Sequence, residues 1–173
     1  MKELVLGGSR SGKSSLAEQR AADSGLAVTY IATATAGDAE MAARIARHRA
    51  RRPAHWHLIE EPLHLATALQ ACAAPERCLL VDCLTLWLTN LLCANNEALF
   101  QRERAAFLEA LPTLPGHLIL VSNEVGMGIV PMGELSRRFG DEAGWLNQEA
   151  AKMCERVTLM VAGLPYPLKQ PTS

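Results

Sequence analysis

The sequence predicts an α/β fold in which a mostly parallel sheet carries helices on both faces. Three observations support this. Short apolar runs recur along the chain, and helix-like stretches separate most of them. The first run, Leu4-Val-Leu6, passes straight into a glycine-rich turn, Gly7-Gly-Ser-Arg-Ser-Gly-Lys-Ser14, and then into a helical segment. Alternating strands and helices build βαβ units. Sheets made from such units are buried on both sides, so their strands read as continuous apolar runs.

In chain order the strand candidates are Glu3–Leu6, Ala27–Ala32, His57–Glu60, Cys78–Asp82, His117–Ser122 and Val157–Ala162. The helical candidates are Lys13–Ala22, Asp38–Arg51, Leu63–Cys72, Leu84–Leu92, Ala98–Leu111 and Glu134–Glu155. Asp38 is a fitting N-cap for the second helix. In the last helix Leu135, Phe139, Leu146, Ala150, Met153 and Val157 recur at three- and four-residue steps, the spacing of a core-facing stripe. Gly140 and Gly144 weaken that pattern and leave room for a kink or a break before Asp141. In a parallel sheet the ligand site lies at the carboxyl ends of the strands. That rule selects Gly7–Ser14, Thr33–Gly37, Asp82–Thr85 and Ser122–Gly128 as the active edge.

Bulk properties narrow the class. A chain of 173 residues fits one domain, residues 1–173, with 49% hydrophobic and 20% charged residues, as in an ordinary soluble globule. The net charge of −1 points to neither nucleic acid nor a membrane surface. No apolar run reaches membrane-spanning length, and the amino terminus enters the first strand at once, so the expected compartment is the cytoplasm. The five cysteines, Cys72, Cys78, Cys83, Cys93 and Cys154, are odd in number and lack metal-like spacing. They read as reduced thiols, mostly in the core.

The glycine-rich turn carries the clearest chemistry. Between a strand and a helix, Gly7-x-x-x-x-Gly12-Lys13-Ser14 is the pattern that binds the phosphates of a nucleoside triphosphate. Backbone N–H groups of Gly7, Gly8, Ser9, Arg10, Ser11 and Gly12 close around phosphate oxygens, and the helix start adds unpaired donors. Lys13 reaches the β- and γ-phosphates, and the Ser14 hydroxyl ligates Mg²⁺. Asp82, ending the run Cys78-Leu-Leu-Val-Asp82, is the expected second group near the metal.

Three further segments carry candidate side chains. Ser122, Asn123 and Glu124 end a strand before a glycine-punctuated loop, so they either face the substrate or merely lead into that loop. In Asp38–Arg52, Met41, Ile45 and His48 share one helix face, crowded by Arg44, Arg47, Arg49, Arg51 and Arg52. A solvated face is the ordinary reading of such a run. Beside a triphosphate site, however, guanidinium groups match phosphate oxygens, and their charge lowers an imidazole's pKa. A neutral His48 has a lone pair for base or nucleophilic chemistry. In Pro53–Pro62, His55 and His57 alternate with Trp56 and Leu58 and read as structural. Glu60 or Glu61 is placed to receive ribose hydroxyls or a guanine edge, or is simply exposed.

Together these pieces resemble one family, the bifunctional adenosylcobinamide kinase/adenosylcobinamide-phosphate guanylyltransferases of cobalamin biosynthesis. The resemblance rests on Gly7–Ser14, Tyr30–Ala34, Asp38–Trp56, Leu79–Leu92, Val121–Pro131 and Arg137–Gln148, in this order over essentially the whole chain. It implies a RecA-like phosphate-loop fold and a symmetric homo-oligomer, a trimer, with sites near subunit boundaries. It implies two reactions. ATP or GTP phosphorylates adenosylcobinamide, and a histidine, matching His48, then takes GMP from GTP and passes it to adenosylcobinamide phosphate. Lys13 serves both steps. The resemblance also makes Ala32, Thr33, Ala34, Glu60 and Asp82 nucleotide contacts, with Arg49, Ala50, Arg51 and Arg52 beside the GTP. A GTP-binding regulatory module and a simple small-molecule kinase are the alternatives. Against the first, the chain lacks an Asn-Lys-x-Asp run for reading guanine.

Overall fold

The structure, a computed structural model, describes residues 1–35, 37, 39, 46 and 53–171. In chain order its elements are β1 (Lys2–Gly7), α1 (Lys13–Asp23), β2 (Ala27–Ala32), β3 (His57–Glu60), α2 (Leu65–Cys72), β4 (Arg77–Asp82) and α3 (Leu84–Cys93). They continue with α4 (Glu97–Ala110), β5 (His117–Asn123), α5 (Glu134–Met153), β6 (Arg156–Val161) and β7 (Leu164–Lys169). Among the described residues these strands form one seven-stranded sheet in the order β3-β2-β4-β5-β1-β6-β7. Every pairing is parallel except that of β6 with β7.

The apolar runs form strands because both of their faces are covered. Alternate residues of each strand go to opposite sides of the sheet. Leu4, Leu6, Ile31, Leu79, Val81, Leu118 and Leu120 pack on one side against α2, α3, α4 and α5. Val5, Val28, Tyr30, Cys78, Leu80, Ile119 and Val121 pack on the other against Ala17 and Ala21 of α1 and against Trp56. The larger layer is pinned by Trp87. Its ring lies 5.2 Å from that of Phe107, and its Nε1 donates to the Leu63 carbonyl at 2.8 Å.

At the amino ends of the strands sits a buried ionic cluster. Glu3 of β1 is 0% exposed. Its Oε2 accepts from Arg20 at 2.8 Å, and its Oε1 accepts from Arg156 at 3.2 Å and meets His117 Nε2 at 2.9 Å. A carboxylate tolerates such burial only when paired this fully. The cluster ties α1, β5 and β6 to the start of β1, at the end of the sheet away from the glycine turn.

Two expectations need correction. Helix α5 runs unbroken from Glu134 to Met153 through Gly140 and Gly144, with no break before Asp141. Its core stripe otherwise follows the expected spacing, with Phe139 and Met153 packed against the core, and departs from it only at the amino-terminal end. Ala143, Leu146 and Ala150 are buried, whereas Leu135 is exposed. Beyond that, β7 has no counterpart in the sequence reading, because Pro165 and Pro167 argue against a strand. It survives as an exposed edge hairpin, turned by Ala162 (φ 51°) and Gly163 (φ 81°), a pair of positive φ angles suited to tight hairpins. The helix expected over Asp38–Arg51 lies largely outside the described residues; Ala39 and Ala46 within it are helical.

Candidate nucleotide site

The glycine turn follows β1 at the carboxyl edge of the sheet. Gly7 allows no side chain, since a Cβ there would lie 2.5 Å from Ser11 Oγ and 2.8 Å from the Met160 carbonyl oxygen. The chain then passes through left-handed conformations at Arg10 (φ 57°) and Gly12 (φ 96°) to enter α1. Gly12 is the N-cap and contributes no side-chain cap, so first-turn N–H groups of α1 face the turn as anion donors. Inside the turn Ser11 N–H donates to the Gly8 carbonyl at 3.3 Å, and Lys13 Nζ donates to the same oxygen at 3.0 Å. The Gly163 N–H reaches Ser11 O at 3.0 Å, tying the β6–β7 hairpin to the turn. Gly8, Ser9 and Arg10 are exposed, and Lys13 and Ser14 are half-buried.

Register brings the other candidates to the same edge. Ala32, at the end of β2, pairs with both Glu60 of β3 and Asp82 of β4. Asp82 follows Leu80 by two residues and so projects on the α1 side of the sheet, the side from which Lys13 and Ser14 start. There Tyr30 Oη donates to Asp82 Oδ2 at 2.8 Å. Thr33 is fully buried and braces this corner. Its hydroxyl donates to the Cys83 carbonyl at 2.7 Å and accepts the Cys83 N–H at 2.9 Å, while its own N–H donates to Asp82 O at 3.2 Å. Asn90 of α3 donates to the Thr33 carbonyl at 2.7 Å and to Pro62 O at 3.1 Å. Ala34 follows, half-buried.

The acidic pair after β3 divides its labour. Glu61 Oε1 accepts from the N–H groups of Leu63 at 2.9 Å and His64 at 2.8 Å and so caps the entry to α2. Glu60 is exposed at the strand end. His55 and His57 are exposed while Trp56 between them is buried, as their alternation suggested. His48, Arg49, Ala50, Arg51 and Arg52 lie outside the described residues.

Cys83 adjoins Asp82 but is no nucleophile. Burial, reinforced by the neighbouring Asp82 charge, pushes its thiol up to about 11, so it stays protonated. Cys78 is likewise pushed up to about 11, and Cys154 to about 12, both by burial first. All five cysteines are free.

The end of β5 is held from three directions. Asn123 pairs with Gly7, and its N–H donates to Thr85 Oγ1 at 2.7 Å. Its carbonyl accepts from Asn147 Nδ2 of α5 at 3.1 Å. Glu124 N–H donates to the Gly7 carbonyl at 3.1 Å, and Glu124 Oε1 accepts the Gly126 N–H at 2.6 Å. The sequence reading missed Tyr30, Asn90 and Asn147 as positioning groups, and it placed Thr85 at the active edge without giving it that role. The available signal was a polar residue inside an apolar element, as in Leu84-Thr-Leu-Trp-Leu-Thr-Asn90.

Comparison with known proteins agrees with this geometry. A family model described as cobinamide kinase / cobinamide phosphate guanyltransferase matches residues 3–168. A bifunctional adenosylcobalamin biosynthesis protein, CobP of Pseudomonas aeruginosa, is 66% identical over 169 residues, covering 98% of each chain. The bifunctional adenosylcobalamin biosynthesis protein CobU of Salmonella typhimurium is 41% identical over 179 residues, covering 96% of this chain and 98% of that one. Among solved structures, the RadB recombinase superposes with a TM-score of 0.51 at 17% identity, covering 91% of this chain and 73% of its own. The flagellar accessory protein FlaH of Methanocaldococcus jannaschii gives 0.52 at 13% identity, covering 98% and 78%. These two likenesses concern the fold alone, a mostly parallel sheet with helices on both faces.

Proposed function

Because the chain belongs to the cobinamide kinase / cobinamide phosphate guanyltransferase family, we propose that it phosphorylates adenosylcobinamide and then guanylylates the product through a histidine-bound GMP. The observation that carries this reading is the convergence of Gly7–Ser14 and Asp82 on one sheet edge and on the α1 side of it.

In the first step the substrate hydroxyl attacks the γ-phosphorus of ATP or GTP, and the nucleoside diphosphate leaves with the bonding electrons. In the second, an unprotonated nitrogen of His48 attacks the α-phosphorus of GTP. An N–P bond forms, the bond to the β-phosphate oxygen breaks, and pyrophosphate departs. A phosphate oxygen of adenosylcobinamide phosphate then displaces the histidine and yields adenosylcobinamide-GDP. Gly7–Gly12 and Lys13 hold the triphosphate in both steps, so one cradle stabilises both leaving groups. Glu60 and the Ala32–Ala34 segment lie farther along the edge, toward the nucleoside. Arg49, Arg51 and Arg52, flanking His48 in sequence with Ala50, offset phosphate charge and disfavour protonation of the ring. Splitting guanylyl transfer across a covalent histidine avoids forcing two anionic substrates together.

The donor set fits Mg²⁺. Ser14 and Asp82 offer a hydroxyl and a carboxylate oxygen on the same side of the sheet, the hard ligands this ion takes alongside phosphate oxygens and water. When bound, Mg²⁺ neutralises charge on the β- and γ-oxygens.

A homotrimer is part of the same reading, supported by apolar residues exposed on the 125–132 loop and on β7. The cytoplasm is the corresponding compartment, and no described helix is long and apolar enough to cross a membrane.

The test is incubation with α-labelled GTP and Mg²⁺, followed by intact-protein mass spectrometry. An acid-labile, alkali-stable GMP adduct that disappears in His48→Ala supports the reading. An unlabelled wild-type protein, or a fully labelled variant, refutes it.

A further inference from the structure

Phosphorylating a hydroxyl requires that its proton go somewhere as the new O–P bond forms. The acceptor must stand within hydrogen-bond reach of the attacking oxygen, beside the γ-phosphate. Four carboxylates end or directly follow strands at the carboxyl edge among the described residues: Glu60, Glu61, Asp82 and Glu124. Three are engaged elsewhere or stand too far away. Glu61 is bound to the amides that open α2. Asp82 holds the Tyr30 hydroxyl and is the metal-side carboxylate of the functional reading above. Glu60 stands on β3, four strands from β1 in the sheet order, which at about 4.8 Å per strand is roughly 19 Å from the glycine turn.

Glu124 is differently placed. Strand β5 lies between β1, which carries the turn, and β4, which carries Asp82. Glu124 follows the last residue of β5, and its N–H is bonded to the carbonyl of Gly7, the first residue of the turn. The preceding residue is fixed by side chains from two helices, Thr85 on its N–H and Asn147 on its carbonyl. This loop entry opens between the two halves of the phosphate site.

We propose that Glu124 is the general base of the kinase step, accepting the proton of the substrate hydroxyl as that oxygen attacks the γ-phosphorus. The O–P bond to the substrate forms and the bond between the γ-phosphorus and the β-phosphate oxygen breaks. The proton passes to the Glu124 carboxylate, and the nucleoside diphosphate leaves with the electron pair. The role rests on the kinase reading above. It predicts that the two activities separate, because attack by His48 on GTP has no hydroxyl proton to remove.

The competing role is structural, since Glu124 Oε1 also holds the Gly126 N–H. Glu124→Gln keeps that acceptor and removes the basicity, and Glu124→Asp keeps the basicity on a shorter arm. Both variants are compared with the wild-type chain in cobinamide phosphorylation and in covalent labelling by GTP. The expected result for Glu124→Gln is a fall in the kinase kcat of about a hundredfold or more, with KM for the triphosphate unchanged and GMP labelling close to wild type. Glu124→Asp should recover part of the kinase rate. Kinase turnover by Glu124→Gln near the wild-type rate overturns the base, as does an equal loss of both activities. A wild-type chain that leaves cobinamide unphosphorylated overturns the kinase reading itself, a failure visible without any variant.

Discussion

The Tyr30 hydroxyl donates to Asp82 Oδ2 at 2.8 Å and so joins β2 to the end of β4. Tyr30 is itself buried, so its ring cannot swing away, and the Asp82 carboxylate is oriented toward the α1 side before any nucleotide arrives. Hydrogen bonds to charged groups contribute about 1.5–3 kcal/mol, and in Tyr30→Phe part of that stabilisation is lost at the metal-side carboxylate. The expected outcome is a rise of about tenfold in the Mg²⁺ concentration needed for half-maximal turnover. Titrating Mg²⁺ against turnover in wild type and variant checks it. Unchanged Mg²⁺ dependence would separate Asp82 from the metal.

Lys13 sits in the turn that grips both triphosphates. Removing its charge in Lys13→Ala should lower both kinase turnover and GMP labelling by about a hundredfold or more, as for other groups aimed at developing phosphate charge. Parallel assays of the two activities decide the point. Guanylylation that survives in this variant means that the second triphosphate binds somewhere else.

The placement of the glycine turn and Asp82 at one edge was legible because both are local features, strands running into polar residues, and because parallel topology puts all strand ends together. The neighbours of those ends were not legible. Which strand lies beside which is set by long-range pairing, so a polar residue such as Thr85 stands out within its apolar element, but its partner (Asn123 for Thr85 and Asn147, Asp82 for Tyr30) cannot be read from residue spacing. Two errors have plain causes. Pro165 and Pro167 masked β7, since proline removes ladder donors, yet at a sheet edge that loss costs little. The glycines of α5 suggested a break, but Ala143, Leu146 and Ala150 pack on the core over the adjoining turns. That tertiary burial outweighs a propensity penalty of about 1 kcal/mol per glycine.

The cluster around Glu3 makes a prediction about acid stability. Burial by itself raises the pKa of this carboxyl, but the hydrogen bond with His117 and the charges of Arg20 and Arg156 outweigh it and hold the group below its ordinary value of 4.5. A depressed carboxyl stabilises the fold above its unfolded-state pKa, and the stabilisation is lost as pH falls below about 4.5 toward the folded-state value. Glu3→Gln should therefore be less stable at pH 7, by about 3 kcal/mol, because it leaves Arg20, Arg156 and His117 without the carboxylate they share. Its stability should also fall less steeply than that of the wild type between pH 5 and 3, approximate bounds set by carboxyl titration. Chemical denaturation at several pH values measures both differences. Parallel pH curves for the two proteins would remove Glu3 from the acid transition.

The surface beyond the site carries the last prediction. Ile129 is 98% exposed, Met132 95%, Val130 74% and Leu164 71%, on the loop after β5 and on the edge hairpin. Monomeric proteins rarely leave large apolar patches open to water, and such patches mark association surfaces. Strand addition is a poor means of association here, because Pro165 and Pro167 deprive β7 of ladder donors. Packing of side chains such as Ile129 and Tyr166 is the remaining means. On the homotrimer proposed above, the wild-type chain, 18.7 kDa as a monomer, is expected to elute as a trimer in size-exclusion chromatography with light scattering. The double variant Ile129→Asp/Tyr166→Asp is expected to shift toward the monomer, since burying two carboxylates per chain in an apolar contact costs several kcal/mol. A monomeric wild type, or a double variant whose mass does not change, would show that these residues do not hold subunits together.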